Sequence, residues 1–171
     1  MRAEAVAAAR EQVVAKGHEA VSLRRVAERI GIAHRSLYNH FADREALLDA
    51  VAEVGFVELA AALTTAHTQA DLVRTYVEFA LHNRRLFALM ESRPHATMKR
   101  KPALQRAVHL AIGEALRLIG HGKRTSAENR RAVMKMLILL HGGIALHAAG
   151  VLDVGGDAGL IAELQAMVAA G

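Results

Sequence analysis

Arg35 and Asn39 stand four residues apart in the run His34-Arg35-Ser36-Leu37-Tyr38-Asn39-His40-Phe41, and both side chains suit the reading of base edges. A guanidinium donates two parallel hydrogen bonds to N7 and O6 of a guanine, and a carboxamide pairs with N6 and N7 of an adenine. Tyr38 and His40 offer polar tips at a spacing suited to phosphate oxygens, which fix register without carrying sequence information. Between Ser22 and Arg44 five basic residues (Arg24, Arg25, Arg29, Arg35 and Arg44) stand against two acidic ones (Glu28 and Asp43), a local excess of three. The chemistry implied is non-covalent recognition of a duplex.

Such side chains need a rigid frame. Ser22 is a suitable N-cap, because its hydroxyl can accept from the unpaired amides of a first helical turn. Val26, Ala27 and Ile30 then form one apolar face. Gly31 sits where that helix must stop, since a left-handed residue past a helix end is most cheaply glycine. In a second short helix Ala33, Leu37 and Phe41 recur every four residues and are expected inward, leaving His34, Arg35, Tyr38 and Asn39 outward. Two helices joined by a short glycine-bearing turn cross steeply, which lets the second enter a major groove. Asp43 is a plausible cap for a third, longer helix, whose N-terminus with Arg44 favours a phosphate. Ordinary solvated surface charge is the bland alternative, and the agreement of spacing, turn and polar face argues against it.

The stretch Val21–Ala50 resembles the N-terminal domain of TetR-family transcriptional regulators. The resemblance rests on Val21-Ser22-Leu23-Arg24-Arg25-Val26-Ala27, Gly31-Ile32, Ser36-Leu37-Tyr38-Asn39-His40-Phe41 and Asp43-Arg44-Glu45-Ala46-Leu47-Leu48, with residues 3–17 compatible as the family's first helix. It implies that Ser22, Arg24, Arg35, Ser36, Tyr38, Asn39, His40 and Arg44 face DNA. The position of Arg44 is more often lysine in that family, so the charge is kept and the donor geometry changes. The resemblance further implies a homodimeric repressor released by a small molecule. Leu140-His141-Gly142-Gly143-Ile144 also resembles a tryptophan-histidine-glycine type of C-terminal domain, with leucine in the tryptophan's place.

Composition agrees. Of 171 residues 53% are hydrophobic and only 4% aromatic, and with two prolines this favours helical packing. A net charge of +5 permits polyanion binding without requiring it. The absence of cysteine excludes disulfides and thiolate metal sites and is compatible with the cytoplasmic location we expect. The N-terminus alternates charges and alanines and reads as neither signal peptide nor membrane span, and no apolar run is expected to reach the roughly 18 residues that a bilayer requires, so no membrane partner is expected.

The expected fold is all-α: a three-helix helix-turn-helix domain (1–46) joined by a long helix to a helical effector-binding and dimerisation domain (47–171). Helices are expected over residues 3–16, 44–65, 68–91, 103–119, 127–149 (with Ser126 as its cap) and 158–169, the third ended by Ser92-Arg93-Pro94-His95. Between Val133 and Ala149 only Lys135, His141 and His147 are polar, so that helix is expected to be buried on most sides, one of them against a second subunit. Val133, Leu137, Leu140, Gly143, Ile144, His147, Leu160 and Leu164 are the candidate dimer residues; a monomer with one central helix is the alternative. A dimer predicts a palindromic operator, because one short helix reads too few base pairs.

Phe79, Asn83, Phe87, Met90, His109, Met136 and His141 are candidates to line an effector pocket between helices, though the apolar ones also suit plain core packing. The ten histidines are scattered without ligand spacing, so no metal and no cofactor are expected. No nucleophile–base pair or phosphate-cradling glycine loop suggests an enzyme. Arg93, Lys99, Arg100 and Lys101 read as a solvated basic loop. The implied function is a ligand-responsive transcriptional regulator, a repressor binding a palindromic operator as a homodimer. The alternative is a helical small-molecule or lipid-binding module with a vestigial DNA reader.

Overall fold

The computed structural model describes residues 1–94, 98–119 and 125–170 and is all-helical over them. The α-helices are α1 (Arg2–Lys16), α2 (Leu23–Arg29), α3 (His34–Leu37), α4 (Arg44–Leu63), α5 (Gln69–His82), α6 (Arg84–Glu91), α7 (Pro102–Ile119), α8 (Ser126–Ala148) and α9 (Gly156–Ala169). A 3₁₀ turn, His18–Ala20, follows α1. The chain divides into two compact units, Met1–Glu58 with Asn83–Val108, and Leu59–His82 with His109–Gly171.

In the first unit α1 packs on α2 and α6, and α2 on α3. Val13, Val26, Leu37, Phe41, Leu47, Leu48, Val51, Leu86 and Leu89 form its core. Arg85 donates to the Val14 carbonyl at 2.8 Å and to that of Ala15, holding α6 against the end of α1. Arg93 is not the solvated cation expected. It is buried, and its guanidinium donates to Glu45 Oε2 (2.8 Å) and Asp49 Oδ1 (3.3 Å), while Lys101 pairs with Asp49 Oδ2 at 2.7 Å. A charge leaves water at this cost only when paired and hydrogen-bonded, and here three partners, Ser92 Oγ among them, meet the guanidinium.

In the second unit α5 packs on α8 and α9, and α8 on α9. Leu72, Val73, Val77, Val133, Met136, Leu140, Ile144, Leu160 and Leu164 are buried there. Arg117 donates to the Ala66 carbonyl at 3.0 Å, and Gln165 Nε2 to that of Ala70 at 2.8 Å, so side chains satisfy backbone at helix ends. α8 starts at Ser126, its expected cap, one residue earlier than expected. Thr125 is the N-cap, in a capping box in which the Glu128 amide donates to Thr125 Oγ1 and the Thr125 amide to Glu128 Oε2 (2.7 Å).

Two expectations about helices need correction. The segment 68–91 is two helices, not one: Asn83 (φ −113°, ψ 36°) leaves the helical region and heads α6. Asparagine is a poor interior helix former whose short polar side chain competes for nearby backbone. α8 is less buried than its composition suggests. It is long and apolar enough to cross a membrane by length and composition, yet only 22% of that window is buried. Its apolar residues divide between an inward row (Val133, Met136, Leu140, Ile144) and exposed ones (Met134, Ile138, Leu146).

Candidate nucleic-acid interface

The reading head is built from α2, α3 and the turn between them. Gly31 has φ +72°, the left-handed conformation the turn requires, and the Ile32 amide closes it on the Ala27 carbonyl at 3.0 Å. Ser22 occupies the N-cap of α2 with extended backbone, but its hydroxyl makes no cap bond; its amide is held instead by Gln12 Oε1 at 3.3 Å. Leu37 and Phe41 are buried as expected. Ala33 is exposed, because it is the N-cap of α3 rather than an interior residue.

α3 is shorter than the sequence suggests. Its α-helical part ends at Leu37, and the amides of Tyr38, Asn39 and His40 bond three residues back, to Arg35, Ser36 and Leu37. The tighter 3₁₀ pattern satisfies the last carbonyls and leads directly to the buried Phe41, whose amide returns to Leu37 O at 2.9 Å.

The outer face is as polar as its composition. Arg35, Tyr38, Asn39 and His40 are exposed and Ser36 is half-buried. Neither Arg35 nor Asn39 has a partner among the described side chains, so their donors and acceptors face solvent. The His34 and Tyr38 rings meet edge to face at 5.3 Å, which steadies the phenol, and His40 Nε2 lies 3.1 Å from Met1 Sδ. Arg24 is exposed and donates to Glu28 Oε1 at 2.8 Å, and that hydrogen bond raises the guanidinium's pKa above its ordinary value. An ion pair this exposed is readily exchanged for another anion.

Arg44 is placed differently from its neighbours. Its Nε donates to the Val21 carbonyl at 3.0 Å, one terminal nitrogen donates to the His18 carbonyl, and the other meets Glu45 Oε1 at 2.7 Å. The side chain therefore closes the 18–21 loop onto the start of α4. A planar fork achieves this more readily than an ammonium. Asp43 caps the same helix by accepting from the Ala46 amide at 2.7 Å. Glu45 stays charged below the usual glutamate range, mainly through its hydrogen bond from Arg93, with burial opposing. The two arginines on one carboxylate escaped sequence reading, since nothing in the spacing of residues 45 and 93 links them.

The candidate effector residues fall in both units. Asn83, Phe87 and Met90 belong to the first, where Phe87 and Met90 are core and Met90 packs against Gly55. Phe79, His109, Met136 and His141 belong to the second. There His109 is exposed, Met136 is buried, and Tyr76 Oη lies 2.5 Å from His141 Nε2 with the two rings stacked.

Among the candidate dimer residues, Val133, Leu140, Ile144, Leu160 and Leu164 are buried within the chain itself. They belong to the packing of α5, α8 and α9 inside one subunit. Gly143 belongs to the same seam, since a Cβ there would come within 2.8 Å of Leu164 Cδ2. Leu137 is half-buried, and His147, mostly covered, meets Asp157 Oδ1 at 2.8 Å. The exposed large apolar side chains of this region are instead Met134, Ile138, Leu146, Val151 and Met167, which the sequence pattern did not separate from the inward row. No group of three or more metal-ligating side chains occurs among the described residues.

Residues 5–51 match the bacterial regulatory proteins of the tetR family, and residues 69–170 match the tetracyclin repressor-like C-terminal domain. A protein of unknown function from Rhodococcus sp. RHA1 is similar in structure, with 29% identity and a TM-score of 0.78, covering 98% of this chain and 92% of that one. A TetR transcriptional regulator from the same organism shares the fold at 18% identity and TM-score 0.70, covering 97% of this chain and 93% of that one. RolR in complex with resorcinol is similar at 25% identity and TM-score 0.66, over 97% and 86% of the two chains. No curated protein matches the sequence closely. With both of its domains matched and a helix-turn-helix at its N-terminus, the chain belongs to the TetR family of transcriptional regulators, DNA-binding proteins and not enzymes.

Proposed function

We propose that this regulator is a repressor that binds a palindromic operator as a homodimer and is released by a small-molecule effector, in the cytoplasm. The observation that carries the reading is the unpartnered pair Arg35 and Asn39 on the outer face of a helix-turn-helix whose inner residues Val26, Ala27, Leu37 and Phe41 are buried. Arg35 and Asn39 read bases, and Ser22, Arg24, Ser36, Tyr38 and His40 set register on phosphates. Arg44, whose donors go largely to backbone carbonyls, serves mainly to hold the 18–21 loop in place.

The division of labour runs between a DNA-reading part, residues 1–46, and an effector and dimer part, residues 47–171. The dimer is supported by the exposed Met134, Ile138 and Leu146 along α8, since solvent-facing apolar side chains on one long helix suit a second copy. RolR, similar in structure, is in complex with resorcinol, which supports a small effector for this chain by kinship. An effector acts only by its differential affinity for the two states, so it binds the DNA-incompetent form more tightly. α4 runs from the reading head into the second unit and is the connection through which such a preference reaches DNA.

Selection of bound duplexes from a random pool at near-physiological salt tests the reading. An enriched inverted repeat is the expected result. Salt-sensitive binding without enrichment would reduce the basic face to a general polyanion surface and favour a helical binding module.

A further inference from the structure

The second unit contains a cavity of about 280 Å³ that the operator reading does not use. Its wall is formed by the start of α5, the end of α7, the first half of α8 and the end of α9. Its apolar lining, the floor, comprises Ile119, Met136, Leu139 and the half-exposed Met167, and the exposed Arg131 and Lys135 line it as well. These two cations stand at i and i+4 on α8, one above the other on the same face. Neither has a partner among the described residues. The one carboxylate at the rim, Glu128, is engaged in the capping box, where Thr125 donates to it from both its amide and its hydroxyl.

We propose that this cavity binds a small amphipathic monocarboxylate, its apolar body on the Ile119–Met136–Leu139–Met167 floor and its carboxylate between Arg131 and Lys135. The chemistry selects that class. A guanidinium and an ammonium side by side form charge-assisted hydrogen bonds with one carboxylate, and a bare inorganic anion would leave the floor wet. A neutral alcohol of the same length would leave both cations unanswered. Two methionines adapt to a flexible chain better than branched side chains would. The volume lies just below the range of drug-sized ligand pockets, about 300–1,000 Å³, and so fits a medium-chain acid rather than a polycyclic body. The proposal goes beyond the operator reading and does not depend on it.

The test uses the full chain labelled with ¹³C at the methionine methyls, titrated with decanoate and, separately, with decanol, without DNA. Saturable shifts of the Met136 and Met167 methyls with decanoate are expected, while Met90 and Met98 of the first unit stay in place. Decanol should bind at least ten times more weakly. The exposed double variant Arg131→Gln/Lys135→Gln should lose decanoate binding by a similar factor, with an unchanged thermal midpoint showing that it folds. Equal binding of acid and alcohol, full binding by the double variant, shifts confined to other methionines, or no shift at all would each overturn the proposal. Because DNA is absent, failure here leaves the operator reading standing.

Discussion

The Arg93 guanidinium, at the end of α6, donates to Glu45 Oε2 at 2.8 Å across 48 residues of sequence. Glu45 also holds Arg44 through its other oxygen at 2.7 Å, and Arg44 in turn donates to the Val21 and His18 carbonyls. A continuous run of charge-assisted bonds thus links the segment after α6 to the loop preceding the first reader helix. Arg93→Met keeps the aliphatic stem and removes the guanidinium. It should lower unfolding free energy by about 1.5–3 kcal/mol, the range for hydrogen bonds to charged groups, read as a shifted denaturant midpoint with unchanged slope. An unshifted midpoint would show that the network is ornamental.

The same network carries a pH dependence. Glu45 in the folded chain titrates below its ordinary value of 4.5, chiefly because Arg93 donates to it. A carboxylate depressed on folding stabilises the protein above the unfolded-state value, and the contribution is lost as pH falls through the folded-state one. Glu45→Gln should therefore be less stable than the parent at about pH 6, and the gap should close as pH drops below the ordinary glutamate range. Melting temperatures of both proteins across that range provide the readout. A gap that stays constant into acid would assign the loss to shape rather than charge.

Ile138 is 68% exposed on α8, so an aspartate there costs the isolated subunit little. If α8 pairs subunits, Ile138→Asp buries a charge in that interface and should convert a dimer to a monomer in sedimentation equilibrium. Operator affinity should fall by at least roughly tenfold, since two linked half-sites are lost to one. A variant that remains dimeric would move the interface to another face.

The reader was legible because its signals are local. Gly31, the buried pair Leu37 and Phe41, and the Asp43 cap each act within a few residues, and the structure has all of them in those roles. The 3₁₀ ending of α3 was less legible, since the four-residue spacing of Leu37 and Phe41 fits a tightened turn as well as a regular helix. Farther along, periodicity failed for a different reason. α8 carries apolar residues on both sides, so pattern alone could not say that Leu140 faces the chain's own core and Ile138 faces out. Arg93 illustrates a third limit. A cation beside Ser92 and Pro94 reads as surface until the carboxylates of Glu45 and Asp49 are brought to it by packing.

The central claim is that Arg35 and Asn39 read bases, and binding by their alanine variants tests it most directly. Anisotropy titrations of Arg35→Ala and Asn39→Ala would use the selected duplex and a scrambled one at fixed salt, with melting curves as the folding control. Each variant should lose about 1–3 kcal/mol of discrimination, roughly 5–150-fold, with melting unchanged because both side chains are exposed and unpartnered. Binding to the scrambled duplex should weaken far less, most of all for Asn39→Ala, which removes no charge. Folded variants that still prefer the selected duplex as strongly as the parent would contradict the account.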